Sequence, residues 1–205
     1  VIRRWAHIVA ANVAASDIGW IHRAPVRNLP TPVGLFMSGA LDLTTEMRPR
    51  QRAFARCALL RLGQWALDCR DFAAPRRKKL ARRLPGLIDE MFKGLHEFSG
   101  ACRAANVLNG GIVRNRALLH RSAVGLEEEP IFVEHGVRPR LVVTSPPYPG
   151  VNVLYHRWQY KGRKETPAPY WIANVLDGDG ASFYTGGSRT PTGEERYFDM
   201  ITAAF

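Results

Sequence analysis

Over the first hundred positions, apolar residues recur at the three- and four-residue steps of amphipathic helices. From Pro49 to Asp71, Phe54, Ala58, Leu62, Trp65 and Cys69 form one stripe, with Arg52, Arg56 and Arg70 off it and Asp68 among them. A second helix is expected from Pro75 to Phe98, with Leu80, Leu84, Leu87, Ile88, Met91, Phe92 and Leu95 on its apolar face. Pro85 lies inside it as a point of kinking or splitting. Trp5 to Ala15 is apolar and alanine-rich and reads as a buried helix that leaves through Asp17-Ile-Gly19. Pro25, Pro30 and Pro32 mark an extended connection.

After residue 100 the period shortens. Ala104 to Val107, Ile131 to Val133 and Arg140 to Thr144 are short, rich in Val, Ile and Leu, and bounded by Gly or Pro. They read as strands, the last as a buried one, and Arg114 to Gly125 reads as a crossover helix between them. Beyond Pro149 the chain is aromatic and loop-rich until a final helix over Glu194 to Phe205. No internal repeat or low-complexity tract is visible. The expectation is a helical region over 1–100 and an α/β unit over 101–205, with ligand chemistry where strands end.

Charge divides the chain as well. Its 205 residues carry 29 Lys and Arg against 18 Asp and Glu, a net of +11. Residues 1–140 hold 23 cations and 12 acids, whereas 141–205 hold six of each. A basic half of this kind fits either a polyanionic partner, nucleic acid first among them, or a soluble basic surface. Six of the eight positions from Arg76 to Arg83 are Lys or Arg: Arg76, Arg77, Lys78, Lys79, Arg82 and Arg83. That run is either a solvated helix face or a set of phosphate contacts.

Other features exclude classes. At 46% hydrophobic and 23% charged residues the chain can bury a core. Its longest uncharged stretches, Asn28 to Leu41 and Leu141 to Tyr155, are broken by prolines and are too short to span a bilayer, and no charged leader with an apolar core and small-residue cleavage site is read in it. Cys57, Cys69 and Cys102 are odd in number and widely spaced, which reads as reduced core thiols in a cytoplasmic protein. His135 and His156 have no metal-ligand spacing with them, so no metal is expected. Glu127 to Glu129 before Pro130 reads as a solvated turn, and Arg163 and Lys164 as exposed loop cations.

One segment stands apart. Arg140-Leu-Val-Val-Thr-Ser-Pro-Pro-Tyr148-Pro-Gly150 runs from an apolar stretch directly into a double proline and a tyrosine. Two prolines fix the backbone and remove two amide donors, leaving rigid carbonyl acceptors beside an aromatic plate. One reading is a structural turn. The other is a pocket for a flat amino heterocycle, with the amine on the Ser145 hydroxyl and the Pro146 carbonyl and the ring on Tyr148.

Thr144-Ser-Pro-Pro-Tyr148 after an apolar run resembles the catalytic motif of the amino-group DNA methyltransferases, in which Asp, Asn or Ser precedes Pro-Pro and an aromatic residue. Gly150-Val-Asn-Val-Leu-Tyr-His-Arg-Trp-Gln159 and Arg163-Lys-Glu-Thr-Pro-Ala-Pro-Tyr-Trp171 are similar to the continuation in bacterial Ser-Pro-Pro-Tyr enzymes. Leu62-Gly-Gln-Trp-Ala-Leu-Asp-Cys69 is similar to a helix ahead of the motif there. The likeness covers Leu59 to Trp171. It implies a Rossmann-like α/β sheet, S-adenosylmethionine as methyl donor, double-stranded DNA as substrate and a flipped cytosine methylated on its exocyclic N4 amine. The implied catalytic set is Ser145, Pro146, Pro147 and Tyr148, with Ser145 an acceptor and orienter rather than a nucleophile. Tyr155, Arg157, Trp158 and Gln159 follow as substrate contacts, although a tryptophan such as Trp158 is more often core than a stacking plate. A cognate restriction endonuclease is a further implied partner.

The family's Phe-x-Gly-x-Gly cofactor motif is not found. Phe183-Tyr-Thr-Gly-Gly187 has the wrong spacing, and Asn109-Gly-Gly111 lacks a third element. With Val1 in place of an initiator Met and Phe205 inside a helical pattern, the chain reads as part of a longer protein whose cofactor loop lies upstream. Three alternatives stay open: the adenine amine as target, an RNA substrate, and a basic DNA-binding module with a vestigial motif.

Overall fold

The computed structural model describes residues 1–15, 26–68, 71–107, 110–114, 116–119, 122–134, 136, 141–144, 158–162, 164–175 and 191–204. The chain divides into two compact units: Val1–Leu108 with Tyr155–Asp177, and Asn109–Leu154 with Gly178–Phe205.

The first unit is built on four helices, α1 (Ile2–Ala15), α2 (Thr31–Asp42), α3 (Pro49–Leu67) and α4 (Arg77–Ala104). Ile2, Trp5, Ala6 and Val9 give α1 a buried face at i, i+3, i+4 and i+7. The Trp5 indole N–H, carried into the core by that face, donates to the Ala40 carbonyl of α2 at 3.2 Å. On α3 the fully buried side chains are Ala55, Ala58, Leu59, Leu62, Ala66 and Leu67, with Phe54 and Trp65 on the flanks. Phe54 stacks on Phe92 of α4 with ring centroids 4.9 Å apart. The α4 helix buries Leu80, Leu84, Leu87 and Ile88, while Leu95 is 52% exposed.

Helix α4 runs through Pro85 unbroken. A proline inside a helix costs about 3 kcal/mol. Burying each of Leu84, Leu87 and Ile88 returns roughly 1.5–3 kcal/mol, so packing on both sides of the proline carries the helix across it.

Four elements of this unit, one helix near its start and a hairpin with a short helix beyond residue 155, lie where extended or loop structure was expected. Helix α2 begins at Thr31, inside the proline-marked connection, and has Pro32 in its first turn, where a proline gives up no intrahelical bond. It buries Val33, Gly34, Phe36, Met37 and Ala40. Beyond residue 155, β1 (Trp158–Tyr160) and β2 (Lys164–Thr166) pair antiparallel, Trp158 opposite Thr166 and Tyr160 opposite Lys164. The turn passes through Lys161 and Gly162, both at positive φ, at 52° and 73°. Helix α7 (Ala168–Ala173) follows and packs on α3, burying Ala168 and Ile172.

The second unit contains two single-turn helices, α5 (Gly111–Arg114) and α6 (Pro130–Val133), a 3-10 turn at Leu126–Glu128 and α8 (Pro191–Ala204). The last matches the final helix expected from Glu194.

The expected Rossmann-like α/β sheet is contradicted. The chain is mostly helical, and the β1–β2 hairpin is the one sheet among the described residues. Ala104 closes α4, and Asn106 at φ 55° caps it, with the Val107 N–H on the Cys102 carbonyl and the Asn106 N–H on the Arg103 carbonyl. Ile131 to Val133 form α6, started by Pro130. Residues 116–119 and 122–125, expected in a crossover helix, are not helical. Leu141, Val142 and Val143 are 78%, 65% and 85% exposed and pair with no strand among the described residues. Valine-rich composition favours an extended backbone, but a ladder needs a neighbour, and the two described strands satisfy each other.

Cys57 and Cys102 are free thiols, but Cys57 is exposed, because it lies off the buried face of α3. Among the described residues no helix is long and apolar enough to cross a membrane, and no group of three His, Cys, Asp or Glu could hold a metal ion.

Candidate nucleic-acid interface

The cations expected on one helix face occupy the start of α4. Arg76 is its N-cap residue and contributes no side-chain cap, and the first turn contains no acid. Arg77, Lys78 and Lys79 therefore stand at the positive end of a 28-residue helix, where acidic side chains stabilise and cations cost about 0.3–1 kcal/mol each. Nothing in the folding of α4 calls for this arrangement. Leu80, Ala81 and Leu84 bury the opposite face, which turns Lys78, Lys79 and Arg82 outward.

The six cations are not equivalent. The Arg83 guanidinium binds both carboxylate oxygens of Glu90, at 2.8 and 3.2 Å. The Lys79 ammonium sits 5.9 Å from the centre of the Trp65 ring on α3. Arg76, Arg77, Lys78 and Arg82 have no ion pair among the described residues. Charge available to an outside anion is thus concentrated on those four, which a fork-shaped or point-like donor can place on phosphate oxygens.

The arginines of α3 sort in the same way. Arg52 donates to the carbonyls of Thr44, Thr45 and Met47 and so ties down the turn that precedes its own helix. Arg56 donates to the Ile172 carbonyl near the end of α7, holding that helix on α3. Arg61 is exposed and makes no such contact among the described residues. Sequence reasoning passed over Arg61. Its signal was a cation three residues ahead of Gln64, on the side of α3 opposite the buried stripe.

Of the expected substrate contacts, Trp158 and Gln159 are described and belong to β1. Trp158 is 5% exposed and lies flush against α3. A Cβ at Gly63 would come within 2.2 Å of its Cη2 and 2.5 Å of its Cζ3, so glycine there is what admits the indole. Trp158 is therefore a core anchor with only an edge toward solvent. Gln159 is half-buried opposite Glu165 in the hairpin. Tyr155, Arg157, Arg163, His135, His156 and Cys69 lie outside the described residues, as do Ser145, Pro146, Pro147 and Tyr148.

Of the glycines weighed as a cofactor loop, Gly110 and Gly111 are described, and they do not make one. Gly110 has φ 78°, and an added Cβ would meet nothing within 4 Å. Gly111 opens the four-residue α5, and no strand precedes it among the described residues. A loop moulded round a nucleotide has close neighbours and leads from a strand to a helix, so this pair does not fit S-adenosylmethionine. Phe183 to Gly187 lie outside the described residues. No family model matches the chain, and no curated protein or solved structure was found to be similar to it.

Proposed function

We propose that the chain acts on double-stranded DNA as part of a methyltransferase that modifies the exocyclic N4 amine of cytosine. The observation that carries this reading is the run Thr144-Ser-Pro-Pro-Tyr148, with its similar continuation through Trp171. The cations at the start of α4 that have no ion pair among the described residues support a DNA substrate. In this reading Ser145 and the Pro146 carbonyl accept the two hydrogens of the amine, and Tyr148 stacks on the ring. Drawing the nitrogen lone pair out of conjugation makes it the nucleophile, so these residues act by position and electrostatics. The base has to leave the duplex first, because a stacked and paired amine is not accessible in line. S-adenosylmethionine is the donor that the resemblance implies. The described residues offer no cradle for it.

The cationic start of α4 taken by itself serves a second reading equally well, a DNA-binding module without activity. Mass-resolved nucleoside analysis of DNA from cells expressing the full gene separates the two. The expected outcome is N4-methylcytosine with the wild type and none with Ser145→Ala at equal protein level. Methylated adenine would move the target to the other amine. A wild-type protein that binds DNA and leaves no methylated base would favour the module.

A further inference from the structure

Beside the hairpin, α3 and the end of α7 enclose an open groove of about 410 Å³, within the range of roughly 300–1,000 Å³ typical of ligand sites. Cys57, Leu60, Arg61 and Gln64 line one wall, at the i, i+3, i+4 and i+7 positions of one helix face. Tyr170 and the edge of Trp158 line the other. Local structure fixes these walls. Gly63 seats Trp158, Arg56 holds the Ile172 carbonyl, and Asn174 in the left-handed region (φ 60°) closes α7, with the Val175 N–H on the Tyr170 carbonyl.

The wall chemistry is mixed in a specific way. Its lining is mostly apolar and includes two aromatic side chains, while its rim carries one guanidinium and one carboxamide. Neither side chain has a partner among the described residues. An aromatic surface suits the face of a base, a carboxamide can pair with a base edge, and a guanidinium matches a phosphate. Gln64 adjoins Trp65, over which Lys79 of the basic run lies, so the groove and the run share one stretch of α3 surface. The unit holding both carries 22 Lys and Arg against 10 Asp and Glu, which favours a polyanion over an acidic peptide or a neutral ligand.

We propose that the groove between α3 and α7 holds one unpaired base of a DNA strand, with Tyr170 and the Trp158 edge against the base, Gln64 on its edge and Arg61 on the neighbouring phosphate. The inference rests on the DNA-binding part of the proposed function. It adds a second nucleotide site, built from residues other than Ser145 to Tyr148.

Two measurements on the full chain test it, using fluorescein-labelled duplexes that are either fully paired or carry one bulged nucleotide. Arg61→Ala combined with Gln64→Ala is expected to weaken binding of the bulged duplex about tenfold and of the paired duplex about twofold, since base stacking and edge contacts act only on the former. In the unmutated protein, bulged duplex is expected to slow iodoacetamide labelling of Cys57, followed by peptide mass, at least fivefold. Equal losses on both duplexes, or unchanged Cys57 labelling with the bulged duplex bound, would overturn the groove while leaving DNA binding intact. Failure of the unmutated protein to bind either duplex would remove the DNA reading itself, and the groove proposal with it.

Discussion

At Gly63 a missing side chain determines a contact on which the hairpin depends. Trp158 rests where a methyl group on residue 63 would stand, 2.2 Å from the indole carbon Cη2. Gly63→Ala is therefore expected to overpack the α3–β1 contact and to destabilise the first unit by about 1–3 kcal/mol, read as a lower urea midpoint at unchanged slope. Adding Trp158→Leu to Gly63→Ala should recover part of the loss, because the two side chains compete for one space. A Gly63→Ala midpoint equal to wild type would mean that the indole is not held there. The roles of Arg52, Arg56 and Arg61 were opaque in sequence for a related reason. Arg52 and Arg56 read alike as cations off an apolar stripe, Arg61 carries no signal of its own there, and what separates the three is whether a free carbonyl lies within reach. Those carbonyls belong to a turn and to a helix more than a hundred residues away.

Among the elements, prolines explain most of what pattern reading found and missed. Pro49 opens α3 and Pro191 opens α8, both in expected helices. Pro32 and Pro130 equally stand in first turns, yet in the sequence pattern they mark a connection and a strand boundary. A proline at a helix start and a proline beside a strand look alike until the packing of the following residues is known. The long periodic helices were legible because a stripe of ten or more residues fits only one period. The three short Val- and Ile-rich runs were not, since periodicity cannot distinguish a buried strand from a helix turn over four residues. Helix α4 offers a test at this scale. Its first turn is cationic against its own dipole, so Lys78→Glu is expected to raise stability by about 1 kcal/mol while weakening binding to duplex DNA. A variant that gains stability without losing affinity would show that Lys78 faces solvent alone.

At the scale of the whole molecule, charge follows the compact units more closely than it follows the sequence halves. The helical unit, including 155–177, has a net charge of +12, from 22 cations and 10 acids, and the other unit has −1, from seven and eight. Residues 141–205 looked neutral because Arg157, Lys161, Arg163 and Lys164, which belong to the basic unit, were counted with acids of the other. A field concentrated on one unit predicts counterion release from duplex DNA, with each neutralised phosphate contributing about 0.9 to the slope of log affinity against log salt. Among the described residues Arg76, Arg77, Lys78 and Arg82 have no ion pair, whereas Arg83 is engaged by Glu90. Changing those four to Ala is expected to flatten the slope by about 3–4 units, in anisotropy titrations of one duplex at several salt concentrations. Changing Arg83 alone should leave the slope almost unaltered, because its charge is already matched within the helix. If instead the fourfold variant kept the wild-type slope, the run would be a solvated face, and the phosphate contacts would have to come from Arg61 and the hairpin cations.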